Sequence, residues 1–115
     1  MNPRGPGVLQ MVMLVAVLSV LDDKDAAGML RELVPLASGA VFTASRNPRA
    51  LSPATLASLW AQLGGPAAEI EGDPRRAVER AQALAGEEGA VVATGSIYLV
   101  ADLLAEPGRR RASAL

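Results

Sequence analysis

MVMLVAVLSVLDDKD, residues 11–25, decides the fold. Its first nine residues are apolar or small with no alternation, the pattern of a strand covered on both faces. The run then breaks into Asp22-Asp23-Lys24-Asp25, and acids at that point suit the positive end of a helix that follows. Read as the core of residues 7–21 (GVLQMVMLVAVLSVL), with Arg4 ahead of it, the same run resembles the hydrophobic region of a signal peptide. The buried strand is the better reading. Gln10 interrupts the run, no small-x-small cleavage pattern follows it, and it falls short of the ~20 residues that cross a bilayer.

Working outward, strands and helices alternate. Ala26, Met29, Leu30 and Leu33 fall on one face at helical spacing, and Pro35 closes that segment. Residues 39–44 (GAVFTA) read as a second strand, and residues 45–51 (SRNPRAL) as a loop around Asn47-Pro48. Ser52-Pro53 pairs a capping hydroxyl with proline at the first helical position. The helix it starts has the stripe Leu56, Leu59, Trp60 and Leu63 and ends at Gly64-Gly65. Residues 67–71 form a weak third strand, and Asp73-Pro74 repeats the cap-plus-proline device. Ala77, Val78, Ala81, Leu84 and Ala85 make the next stripe, stopped by Gly86. Residues 89–93 (GAVVA) are a fourth strand, and Thr94-Gly95-Ser96 turns it into a last helix through Leu104. Met11, Met13 and Met29 are assigned to the core with Trp60.

The order βαβαβαβα predicts an α/β fold: a three-layer, mainly parallel, Rossmann-like sheet with helices on both faces and right-handed crossovers. Residues 1–10 (a flexible leader) precede one domain over residues 11–105, and a disordered tail follows over residues 106–115. The tail's Arg109-Arg110-Arg111 has no interleaved aromatics and reads as solvated.

Composition narrows the function. A chain of 115 residues, 50% hydrophobic, is one folded domain rather than a disordered segment. A net charge of −1 argues against a nucleic-acid binder. The absence of cysteine excludes a disulfide scaffold and a thiolate site, and the absence of histidine removes the commonest general base and zinc ligand. There is no G-x-x-x-x-G-K-[ST] phosphate loop, and no G-x-G-x-x-G follows a strand.

In open parallel sheets ligands gather at the carboxyl ends of the strands, and three polar groups fall there. Lys24, the only lysine, could hold a carboxylate or phosphate as a point charge. The plainer reading, which composition favours, is a solvated lysine at a helix start. In Thr94-Gly95-Ser96 the glycine lets the backbone approach a ligand, and Ser96 stands at a helix N-terminus. The group is an anion cradle or a simple N-cap with equal weight. Arg49 could pair with an anion or face solvent, and Arg46 is its less constrained neighbour.

The ordered set of these loops resembles a known family. The apolar strand runs into Asp23-Lys24-Asp25, followed by Met29-Leu30, Leu33-x-Pro35, Thr43 with Asn47-Pro48-Arg49-Ala50-Leu51, and Thr94-Gly95-Ser96-Ile97-Tyr98-Leu99. Together, over residues 12–104, they resemble the C-terminal domain of folylpolyglutamate synthase, of the Mur ligase superfamily, whose bacterial members are often bifunctional with dihydrofolate synthase. The resemblance implies ATP-dependent amide ligation: a folate or dihydropteroate carboxylate is phosphorylated, and the amine of L-glutamate displaces the phosphate. By that resemblance Lys24 holds a glutamate carboxylate, and Gly95 and Ser96 assist at the helix N-terminus. Arg49 takes a substrate or interdomain role, while Asp23 and Asp25 shape the loop or approach the nucleotide.

ATP and Mg2+ serve the full-length family, through a larger N-terminal ATPase domain; no cofactor is expected for this chain alone. Of the family's leading D-G-A-H-N-P-like motif only Asn2-Pro3-Arg4-Gly5 is an echo. The expectation is therefore a truncated, cytoplasmic glutamate-binding domain without ligase activity of its own. Its implied partners are L-glutamate, folate and an ATPase domain or subunit, with no nucleic acid and no membrane. The alternative is a non-catalytic interaction module derived from such a ligase. Loss of the leading strand and helix would expose apolar surface or a sheet edge, so self-association or marginal stability is expected.

Overall fold

The structure is a computed structural model that describes residues 13–104. The leader over residues 1–10, Met11 and the tail over residues 106–115 lie outside the described residues.

The apolar run forms β1 (Leu14–Leu18), and Asp25 caps α1 (Ala26–Leu33) by accepting a hydrogen bond from the Gly28 amide at 3.0 Å. β2 (Gly39–Phe42) follows. Ser52 accepts from Thr55 N at 3.1 Å to start α2 (Pro53–Gln62). Past β3 (Ala68–Ile70), Asp73 caps α3 (Pro74–Ala85) through Arg76 N at 3.0 Å. In both capped starts proline takes the first turn, where its missing N–H costs nothing. α3 stops at Gly86, whose φ of +77° suits a residue without a Cβ. β4 (Ala90–Thr94) and α4 (Ile97–Leu104) complete the order.

The four strands are all parallel, in the order β3-β2-β1-β4. Val17 of β1 stands between Val41 of β2 and Ala93 of β4, so the most apolar strand is interior. Alternate side chains of β1 feed two separate cores. Ala16, Leu18 and Val20 pack with Phe42 under Ala26 and Leu30 of α1 and Leu56 and Trp60 of α2. Trp60 meets Phe42 edge to face, centroids 5.7 Å apart, and its indole N–H donates to Pro66 O at 2.7 Å. On the other face Val15, Val17 and Val41 pack under Ala77, Ala81 and Ala85 of α3 and Leu99 of α4. The alanines at four-residue spacing present a smooth helix face to the sheet. This is the three-layer parallel α/β arrangement that the alternation predicts.

Met13 departs from expectation. It is 43% exposed rather than core, because it stands ahead of β1, where its carbonyl accepts from Ala90 N at 2.8 Å. The third and fourth strands also start one residue later than predicted. α1 and α2 stand over β1, β2 and β3, so Ala90 and Val92 of β4 are open on that side, Val92 with 43% exposure. No helix among the described residues is long and apolar enough to cross a membrane.

Candidate functional site

Three polar segments leave the carboxyl ends of β1, β2 and β4, and hydrogen bonds tie them together. Beyond β1, Leu21 bridges to Ala50, and Asp22 N donates to Arg49 O at 2.8 Å. Leu51 N donates to Val20 O at 2.8 Å, and Ser45 N to the buried Ser19 hydroxyl at 2.9 Å. The segment after β2 is shaped further by Asn47, whose side-chain oxygen accepts from Arg49 N at 2.8 Å.

A recess of about 420 Å³ opens between these segments, lined by Leu21, Asp23, Lys24, Asn47, Arg49, Gly95, Ser96 and Tyr98. Gly95 and Ser96 also line an adjoining recess of about 360 Å³ with Met29, Thr94 and Val100. The structure thus brings Lys24, Arg49, Gly95, Ser96 and Asp23 around one space. Asp25 stands apart as the α1 cap.

The two cations of the recess are not equivalent. Arg49 is committed: its Nε lies 3.2 Å from Asp22 Oδ1 and its Nη2 3.4 Å from Asp23 Oδ2. Lys24 makes no ion pair among the described residues, which leaves its ammonium the available positive charge. Ser96 faces the recess and also caps α4, its hydroxyl accepting from Tyr98 N at 3.1 Å. The serine is thus an N-cap that also lines the recess. The amides at the start of α4 add a positive partial charge beside Lys24.

Gly95 has φ +102°, and a Cβ there would stand 2.6 Å from Ser19 O. The glycine lets the turn into α4 press against the end of β1, which carries Ser96 to the recess. Sequence reasoning missed Asp22 as the Arg49 partner, Tyr98 as a lining residue, and Ser19 and Asp102 as supports. The one local signal for Asp102 is an acid inside the apolar helix IYLVADLL.

Among the described residues no three acidic side chains converge as metal ligands, and the chain has no phosphate loop.

No family model matches the chain. A probable bifunctional folylpolyglutamate synthase/dihydropteroate synthase of Haloferax volcanii is 35% identical over 86 residues, which are 75% of this chain and 10% of that protein. Among solved structures, Mycobacterium tuberculosis folylpolyglutamate synthase complexed with ADP and AMPPCP matches with TM-score 0.71 and 33% identity, over 81% of this chain and 23% of that one. E. coli FolC in complex with DHPP and ADP matches with TM-score 0.66 and 26% identity, over 81% of this chain and 21% of that one. Folylpolyglutamate synthase from Thermotoga maritima gives TM-score 0.62 and 26% identity, over 79% of this chain and 20% of that one. The chain therefore resembles folylpolyglutamate synthase in sequence and in fold, across most of its own length and a small part of each relative.

Proposed function

We propose that this chain, a relative of the folylpolyglutamate synthases, is the C-terminal, L-glutamate-binding domain of an ATP-dependent folate:L-glutamate amide ligase, and that these 115 residues do not carry out the ligation by themselves. The observation that carries the reading is the convergence of Lys24, Gly95 and Ser96 on one recess, with Lys24 unpaired among the described residues.

L-Glutamate brings two carboxylates and an amine. In this reading Lys24 takes one carboxylate as a charge-assisted hydrogen bond, and the α4 amides and the Ser96 hydroxyl orient it. Asp23, already paired with Arg49, also lines the recess, and its negative charge disfavours a carboxylate beside it and suits the amine. What the residues supply is position: a nucleophilic nitrogen held still loses less entropy on reaching an activated carboxylate. Activation by ATP, the nucleotide bound in the M. tuberculosis and E. coli relatives as ADP or an analogue, belongs to the ATPase domain or subunit that partners this one.

The test is an amide chemical-shift titration of the chain with L-glutamate. Saturable shifts at Lys24, Gly95 and Ser96 are expected. Lys24→Ala should weaken binding about ten- to a hundredfold, corresponding to about 1.5–3 kcal/mol for a hydrogen bond to a charged group. A well-dispersed spectrum that ignores millimolar L-glutamate would overturn the reading.

A further inference from the structure

Asp102 lies six residues into α4, is 1% exposed, and lines neither recess. Its Oδ2 accepts from the Arg46 backbone N–H at 2.7 Å, across 56 residues of sequence. Its Oδ1 is buried with no hydrogen-bond partner, as is Oγ1 of Thr43, two residues past Val41 at the end of β2. A leucine at this place would join the helix's apolar packing at no desolvation cost, whereas a buried carboxylate with one partner is a poor source of stability. What the carboxylate supplies is a fixed distance between the loop after β2 and α4.

We infer that Asp102 is a positioning residue: it holds the loop after β2 against α4, and so sets Asn47 and Arg49 across the recess from Ser96 and Tyr98. The loop has two tethers at its start, Ser45 N to Ser19 Oγ on the β1 side and Arg46 N to Asp102 on the α4 side. The first fixes where the loop leaves the sheet. The second fixes how far it stands from α4, the helix whose first turn presents Ser96. Arg49 follows three residues later and joins the loop to Asp22 and Asp23, next to Lys24. A shift at Arg46 is therefore carried into both walls of the recess. The inference rests on the preceding reading only where it concerns glutamate.

Its experiment compares the wild-type chain with Asp102→Ala and Asp102→Asn by amide hydrogen exchange and by L-glutamate titration. Asp102→Ala is expected to speed exchange at Arg46 at least tenfold, leave Val15 and Val17 of β1 unchanged, and weaken glutamate binding about fivefold or more. Asp102→Asn, whose carboxamide oxygen can accept the same N–H, is expected to restore both. If Asp102→Ala does not fold, Asp102→Leu takes its place, since it refills the buried volume. Uniform acceleration over the whole chain, an unchanged Arg46 amide, or failure of Asp102→Asn to rescue would each overturn the inference. If the wild-type chain ignores glutamate, the preceding reading falls alone, and the exchange pattern still decides the role of Asp102.

Discussion

Gly95 shows what one residue does in this fold. The sequence suggests a glycine placed so that a ligand can approach the backbone, and in the structure the chain's own Ser19 carbonyl also stands close to it. Alanine at this position would combine a disfavoured φ with a Cβ 2.6 Å from that oxygen. Gly95→Ala should lower stability by about 1–3 kcal/mol, read as a fall in Tm, and should shift the Ser96 amide in the spectrum. An unchanged Tm would show that the turn relaxes freely. Lys24, Arg49, Gly95 and Ser96 were legible because each sits in a polar break between a strand and a helix. The Arg49 pairing and the Asp102 tether were not, since they join residues 27 and 56 positions apart, and an acid in an apolar helix does not name its partner. Met13 failed for a related reason: apolar character says that a residue can be buried, not that anything stands over it.

At the scale of elements, local chemistry was a good guide wherever it was self-contained. The Ser52-Pro53 and Asp73-Pro74 starts are hydrogen bonds within one turn, and the structure has both. β3 is only three residues long and lies at the sheet edge, with Ile70 54% exposed. It is held from outside by Glu69, which accepts from Arg80 Nε and Nη2 of α3 at 2.6 and 2.9 Å. That hydrogen bond holds the Glu69 carboxyl below the usual carboxylate range, against an opposing effect of burial, with the charge of Arg80 adding a lesser part. Because the folded value is depressed, the stabilisation is fully present above the ordinary glutamate pKa and fades as pH falls through the folded one. Tm should thus decline more steeply below about pH 4 in the wild type than in Glu69→Gln, which has no charge to lose at that position. Parallel melting curves for the two across that range would remove the pair from any account of acid stability.

The whole molecule is a sheet with unlike edges. The β3 edge carries the Glu69–Arg80 pair and follows Pro66, both devices that discourage strand addition. The β4 edge, AVVAT, has no charge and no proline, and it opens Ala90 and Val92 to solvent. Self-association through this edge is the expected outcome. Sedimentation should give a mass that rises with concentration, and Val92→Lys should return it towards the monomer without lowering Tm. A monodisperse monomer over the same range would count against it. The sheet, its parallel sense and its two helical layers were legible because hydrophobic periodicity is a property of the whole chain. Which edge stays open was not, because that depends on where the helices finally stand. One buried ring gives this molecule a light of its own. Trp60, the only tryptophan, is fully enclosed between α2 and β2, on the face opposite α3 and α4. It does not line the recess, so its emission is a gauge of the core that glutamate need not disturb, and a colour change can be read as loss of structure rather than as occupancy.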